Sequence, residues 1–251
     1  MTLVSIACFT LLLSLSSHPA VSVSSQLSTL RARHAAVVST WRETLGHRRP
    51  GPAHSVERLG GERRVRHLPE GSILGAYASA DGGADKCAER VTRAVVDGVN
   101  VVFWFGMGMD VNETTGKPQF TTGFNKECFV RVYSNLAAAG IAGTTHMITY
   151  GGWNSPRWPR TGHSGEEWFA AWEDWNRGVV QELQLTIGGG PEDGLRDFDG
   201  FDGLDWDMEG NDDVASERND LDLSTLDLFG ALSVAMKRGG YLVTMVPPVR
   251  F

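Results

Sequence analysis

From residue 73 onward the sequence alternates short apolar runs with longer stretches of helical spacing, and this alternation limits the fold more than any other feature. Ile73-Leu74-Gly75-Ala76-Tyr77-Ala78 is the first run, and residues 84–96 follow with Cys87, Val91, Ala94 and Val95 at helical spacing. Residues 100–107 contain Val101-Val102-Phe103-Trp104-Phe105, a second strand, and 124–139 is a helix closed by Gly140. His146-Met147-Ile148-Thr149-Tyr150 is a third strand that runs into Gly151-Gly152-Trp153. Residues 166–185 form a long helix with Trp168, Phe169, Trp172, Trp175, Val179 and Leu183 on one broad face. A fourth strand lies at 201–209, a helix at 223–238 is stopped by Gly239-Gly240, and a fifth strand at 241–246 ends in Pro247-Pro248. Near-continuous apolar strands between helices predict an α/β fold with a parallel sheet covered by helices. A barrel and a doubly wound sheet both fit this pattern. No Gly-x-Gly-x-x-Gly follows a strand, which weighs against a dinucleotide fold.

The fourth strand carries the chemistry. In Phe201-Asp202-Gly203-Leu204-Asp205-Trp206-Asp207-Met208-Glu209, the odd-numbered residues share one face and the even-numbered the other. Same-face neighbours on a strand stand roughly 6.6 Å apart, twice the rise per residue. Asp205, Asp207 and Glu209 therefore form a ladder of carboxylates, while Leu204, Trp206 and Met208 pack the opposite way. Like charges that close cannot all ionise cheaply, so a proton is held among them. A held proton beside a free carboxylate is the raw material of general acid catalysis. Two other readings compete. A solvated acidic loop suits the alternate large apolar residues poorly. A calcium loop would begin Asp205-x-Asp207-x-Glu209-Gly210, but its twelfth place is Ser216, where that motif uses a bidentate Glu.

This strand resembles the active-site signature of glycoside hydrolase family 18, the chitinase family: an apolar residue, then Asp-Gly-x-Asp-x-Asp-x-Glu. Asp202, Gly203, Asp205, Asp207 and Glu209 fill every fixed position. Thr149-Tyr150-Gly151-Gly152 is similar to the family's Ser-x-Gly-Gly, with Thr for Ser, and the strands at 73–80 and 241–247 resemble its first and fifth. The resemblance covers about residues 71–251. It implies a (β/α)8 TIM-type barrel, whose chemistry sits at the C-terminal ends of its strands. It also implies hydrolysis of β-1,4 links in chitin or related N-acetylglucosamine polymers by a substrate-assisted retaining route. Glu209 would be the acid and then the base, Asp207 would steer the substrate's 2-acetamido group, and Asp205 would support from deeper in the strand. No metal or organic cofactor is implied. Asp202, of opposite parity, reads as a structural hydrogen-bond acceptor beside Gly203. Gly151 and Gly152 would let backbone lie close to the site floor. Tyr150 and Trp153 are candidates for stacking on sugar, with packing inside the third loop as the alternative. An endo-β-N-acetylglucosaminidase acting on glycoproteins is a second possibility within the class. A chitin-binding lectin with a dead barrel is the reading from another class, although such lectins usually lack the acid that Glu209 supplies.

The flanks bear on where the protein works. Residues 3–15 are apolar but too few to span a bilayer, and small and polar residues follow at 16–25. Residues 1–22 read as a secretory signal peptide, with a signal anchor as the alternative because no Lys or Arg precedes the run. The expected destination is extracellular or the lumen of the secretory pathway, without membrane attachment after cleavage. Cys8 leaves with the leader. Cys87 and Cys128 remain, and they can form a disulfide that staples two helix starts or stand as two buried thiols. Residues 23–70 read as a basic linker or loosely held extension, with one helix over 26–45 and then Gly and Pro among Arg and His. The net charge of −7 gives no electrostatic footprint for nucleic acid. A barrel takes about 250 residues, and residues 71–251 supply five strands, so the expectation is an incomplete barrel from a truncated product or incomplete gene model. The family's later strands supply a Tyr that bonds the acetamido group and a Trp beneath the sugar, so a chain without them is expected to be weakly active, and an open five-stranded sheet with unpaired edges and an apolar interior is expected to be poorly soluble.

Overall fold

Five of the apolar runs pair side by side into one parallel sheet. The computed structural model describes residues 66–78, 82–155, 162–186, 195, 198–213, 215–219 and 222–246. All belong to one of the chain's two units; the other, Phe9–Gly61, lies outside the described residues, as do the predicted leader and the helix over 26–45. The elements in order are β1 (Gly75–Ala78), α1 (Gly83–Val96), β2 (Val101–Phe105), β3 (Met107–Val111), β4 (Pro118–Thr122), α2 (Lys126–Ala138), β5 (Thr145–Trp153), α3 (Gly165–Thr186), β6 (Gly203–Gly210), α4 (Leu223–Arg238) and β7 (Leu242–Val246). The sheet runs β1-β2-β5-β6-β7, every neighbouring pair parallel, so the strands follow chain order without reversal.

The two faces of this sheet are chemically different. Val102, Trp104, Ile148, Tyr150, Leu204, Trp206 and Met208 share the main core with residues from all four helices. Val101, Phe103 and Met147 form a second, smaller cluster with Ile73, Tyr77 and Leu242, and among the described residues no helical residue joins it. The four described helices therefore cover one face. A doubly wound sheet, one of the two arrangements the strand–helix pattern allows, carries helices on both faces.

Each helix forms for local reasons. In α1 the buried residues Cys87, Ala88, Val91, Thr92 and Val95 recur at the helical period. Asn125 caps α2 by accepting from the Cys128 amide at 2.9 Å. Ser164 and Glu167 bond reciprocally at the start of α3, Glu167 N–H to Ser164 Oγ at 3.2 Å and Ser164 N–H to Glu167 Oε2 at 2.8 Å, a capping box. Asp222 caps α4 through the Thr225 amide at 2.8 Å. A disulfide joins Cys87 of α1 to Cys128 of α2. Both cysteines lie within the first two turns of their helices, and the pairing selects the first of the two alternatives the sequence left.

Three expectations need correction. The run over 100–107 is not one strand: Gly106 (φ +113°) turns the chain out of the sheet, and β3 and β4 form a separate antiparallel hairpin. Its Phe120 meets Trp168 and Trp172 of α3 edge-on, with ring centroids 5.4 and 5.9 Å apart, so the hairpin packs on the helical side. Second, Arg66 is not part of a loose extension. Its N–H donates to the Gly240 carbonyl at 2.9 Å, its guanidinium lies 4.4 Å from the Tyr241 ring centre, and its Nε approaches Asp202 at 3.5 Å. Third, Tyr150 points into the helical core, against Trp206 and Phe229, away from the carboxylates.

Candidate active site

The motif strand enters the sheet through a backbone clamp. Asn176 of α3, buried, accepts from the Phe201 amide at 2.8 Å and donates to the Phe201 carbonyl at 3.2 Å. Asp202 accepts from the His146 amide at 2.8 Å, which ties the start of β6 to β5 and is the structural role its parity predicts. Gly203 passes so close to β7 that an added Cβ would stand 2.1 Å from the Leu242 carbonyl oxygen. On the helical face Trp206 stacks on Phe229 of α4 at 4.2 Å and donates to Ser233 Oγ at 2.9 Å. These contacts leave Asp205, Asp207 and Glu209 on the face without helices.

Asp205 sits deepest, fully buried, in a row with Thr149 of β5 and Thr244 of β7. It accepts three hydroxyl hydrogen bonds: Thr244 at 2.6 Å, Tyr77 at 2.9 Å and Thr149 at 3.3 Å. Burial pushes its carboxyl upward, and the three donors pull it back toward ionisation. One step up, Asp207 is 2 % exposed and pairs in register with Gly151. Burial is the main cause that pushes its carboxyl up to about 8, and a hydrogen bond to Glu209 and the negative charges of Glu209 and Asp205 add to it. At neutral pH Asp207 therefore holds a proton and shares it toward Glu209. Glu209 is exposed at the end of the strand. Register shifts between Gly151 and Trp153, so that Trp153 pairs with Gly210, and this bulge redirects the end of β6 where Glu209 stands. Gly152 (φ +96°) completes the wall. A Cβ there would lie 3.1 Å from the Phe105 ring, tighter than side chains normally pack, and 3.9 Å from Asp207 Oδ2, in contact with the carboxyl.

The loop after β6 is latched to the end of β5. Asn154 N–H donates to the Gly210 carbonyl at 2.6 Å, and Asn211 Nδ2 donates to Asn154 Oδ1 at 2.6 Å. Asn219 Oδ1 accepts from the Asn211 amide at 2.7 Å, and the Arg218 guanidinium donates to the carbonyls of Asn154 and Ser155. Asn154 is the only non-glycine with positive φ among the described residues, at +58°, a conformation Asn tolerates better than most. This clasp fixes the two residues on either side of it, Trp153 and Glu209.

Neither a scan against protein-family models nor a search of curated proteins finds a match to this chain. The site must therefore be judged on its own geometry. Among the residues predicted for it, Asp205, Asp207, Glu209, Gly151 and Gly152 come together. Trp153 stands 59 % exposed beside the bulge, and Tyr150 does not join them. Tyr77, Thr244 and Phe105 belong to the site without having been predicted. The calcium-loop alternative fails because Asp205 and Asp207 lie buried in a paired strand rather than in a turn, and among the described residues no cluster of three or more His, Cys, Asp or Glu side chains suits a metal. What remains is a proton shared between a buried and an exposed carboxyl, above a third carboxyl held by hydroxyls.

Proposed function

We propose that the strands are wound as in a (β/α)8 barrel and that the chain is a glycoside hydrolase of the chitinase type, cutting β-1,4 links next to N-acetylglucosamine with retention. The barrel reading is supported by strand order without reversal and by helices confined to one face. The activity rests on one observation above all, the ladder that places buried Asp207 between buried Asp205 and exposed Glu209 on the face without helices, where burial and its neighbours favour a proton on Asp207. In this reading Glu209 delivers a proton to the departing glycosidic oxygen. The acetamido oxygen of the substrate forms a bond to the anomeric carbon as the glycosidic bond breaks, giving a cyclic oxazolinium ion. Asp207 orients that acetamido group, and its charge balance with Asp205 offsets the positive charge that develops. Glu209, now ionised, takes a proton from water, which opens the ring from the same face that the aglycone left. Trp153, exposed beside Glu209, offers a face for a sugar to stack on.

The test is substrate choice. Acetylated chito-oligosaccharides should be cut with retention at the anomeric carbon, read by proton NMR. Cello-oligosaccharides and fully deacetylated chitosan, which lack the acetamido oxygen, should not be cut. Comparable cleavage of cellotetraose, or an inverted product, would exclude substrate assistance.

A further inference from the structure

The turn of the β3–β4 hairpin holds a feature that the carboxylate site does not use. Asn112-Glu113-Thr114 is the only Asn-x-Ser/Thr triplet in the 251 residues. Such a triplet becomes a modification site only where it reaches the surface of a chain that passes through a secretory lumen. Both conditions find support. Residues 113–117 are exposed, and they form the apex of the hairpin. The base of the hairpin is held down, with Trp175 Nε1 donating to Thr122 Oγ1 at 2.9 Å, so the apex is presented on a fixed stem. Asn112 itself is shaped for the modification. Its Oδ1 accepts from the amides of Thr114 at 3.0 Å and Thr115 at 2.9 Å, which folds the triplet into an Asx turn. Only one contact of its Nδ2 is at hydrogen-bond distance, to Gln119 Oε1 at 3.0 Å, and a carboxamide nitrogen carries two protons. A second proton remains on that nitrogen. The Cys87–Cys128 disulfide is independent of the triplet and belongs to an oxidising compartment.

We infer that Asn112 is an N-glycosylation site. The donor is an oligosaccharide carried on a lipid diphosphate. The Asn112 nitrogen forms a bond to the anomeric carbon, the bond from that carbon to the diphosphate oxygen breaks, and the lipid diphosphate leaves with the electron pair. One amide proton passes to base. No oxidant or reductant enters.

The experiment uses the full chain behind a host secretion leader, expressed in a eukaryotic secretory cell and also translated in vitro with endoplasmic reticulum microsomes. The expected result is a single glycoform shift, removed by peptide N-glycosidase. Release in heavy-oxygen water should mark position 112 by mass spectrometry. Asn112→Gln and Thr114→Ala should each abolish the shift, while Thr114→Ser keeps it. The microsomal arm reads modification whether or not a variant folds. Translocated chain without the shift, or a shift that survives Asn112→Gln, overturns the inference.

Discussion

On the proposed reading Asp207 is the residue on which the chemistry turns, and its neighbours bear on why. A carboxyl 2 % exposed beside two others does not ionise readily, and Asp207 lacks the three hydroxyl donors that offset the burial of Asp205. On the proposed reading Glu209→Gln keeps size and polarity but cannot deliver a proton. Hydrolysis of a fluorogenic chito-oligosaccharide should fall roughly 10²-fold to 10⁴-fold, with the circular dichroism spectrum unchanged. A folded variant that turns over at the native rate would reassign the acid. Tyr77→Phe removes one of the three donors to Asp205 without removing the ring that stacks on Phe105. On the same reading the alkaline limb of kcat against pH, set by loss of the shared proton near pH 8, should move to lower pH, because less charge settled on Asp205 opposes ionisation of Asp207 less. An unmoved limb would show that the hydroxyl cage does not govern Asp207.

At the scale of elements, the end of β6 is positioned by a loop rather than by the sheet. Pairing with β5 slips between Gly151 and Trp153, so regular ladder bonds do not hold Glu209, and the clasp of Asn154, Asn211, Arg218 and Asn219 takes over. Arg218 lies within this latch and contributes through backbone carbonyls alone in the contacts described. Arg218→Ala should leave the melting temperature within a few degrees and lower kcat about 10-fold to 100-fold, since small misplacements of a catalytic group carry penalties of that order. The effect should fall on kcat more than on KM. Asn154→Gly retains the positive φ but loses the bond to Asn211, and it should cost less than Arg218→Ala. Equal activity in all three proteins would mean that the loop does not position Glu209.

At the scale of the whole molecule, two buried groups tilt stability in opposite directions with pH. Burial raises the Asp207 carboxyl from 3.8 to about 8, so the folded state keeps a proton that the unfolded chain has lost. The stability it contributes is full below 3.8 and is lost as pH rises toward 8; Asp205 is shifted the same way. His146, wholly buried with Trp104 Nε1 donating to its Nδ1 at 3.2 Å, is lowered from 6.5 to about 4. Its contribution is full above 6.5 and is lost as pH falls toward 4. Between those values the slopes oppose, each at most about 1.4 kcal/mol per pH unit. Above 6.5 only the carboxyl slope remains, so the native protein should lose stability from there toward pH 8. Asp207→Asn should flatten that decline and raise the melting temperature at pH 8, by roughly 2–4 °C for each kcal/mol gained. Calorimetry across the range tests this, and an unchanged alkaline decline in the variant would place the proton elsewhere.

Strands, helices and the carboxylate ladder were legible in the amino-acid sequence because each is a local property. A period of two puts Asp205, Asp207 and Glu209 on one face wherever the strand lies, and the Ser164–Glu167 spacing announces the start of a helix by itself. The hairpin had a local signal too, Asn112 and Gly116 between two short β-prone runs, but the apolar character of Met107 drew its first residue into the strand at 100–107. Register is different, because it depends on which strand lies beside which. Alternation separates Thr149 from Tyr150, yet only the pairing of Thr149 with Asp205 reveals that Thr149 faces the carboxylates and Tyr150 the helices. Tyr77 reaches Asp205 across 128 positions of sequence and Thr244 across 39, distances over which no spacing rule operates. The proton on Asp207 is likewise a property of the assembled sheet. A row of acidic residues sets up the repulsion, but burial, its largest cause, exists only once the strands and helices have closed around it.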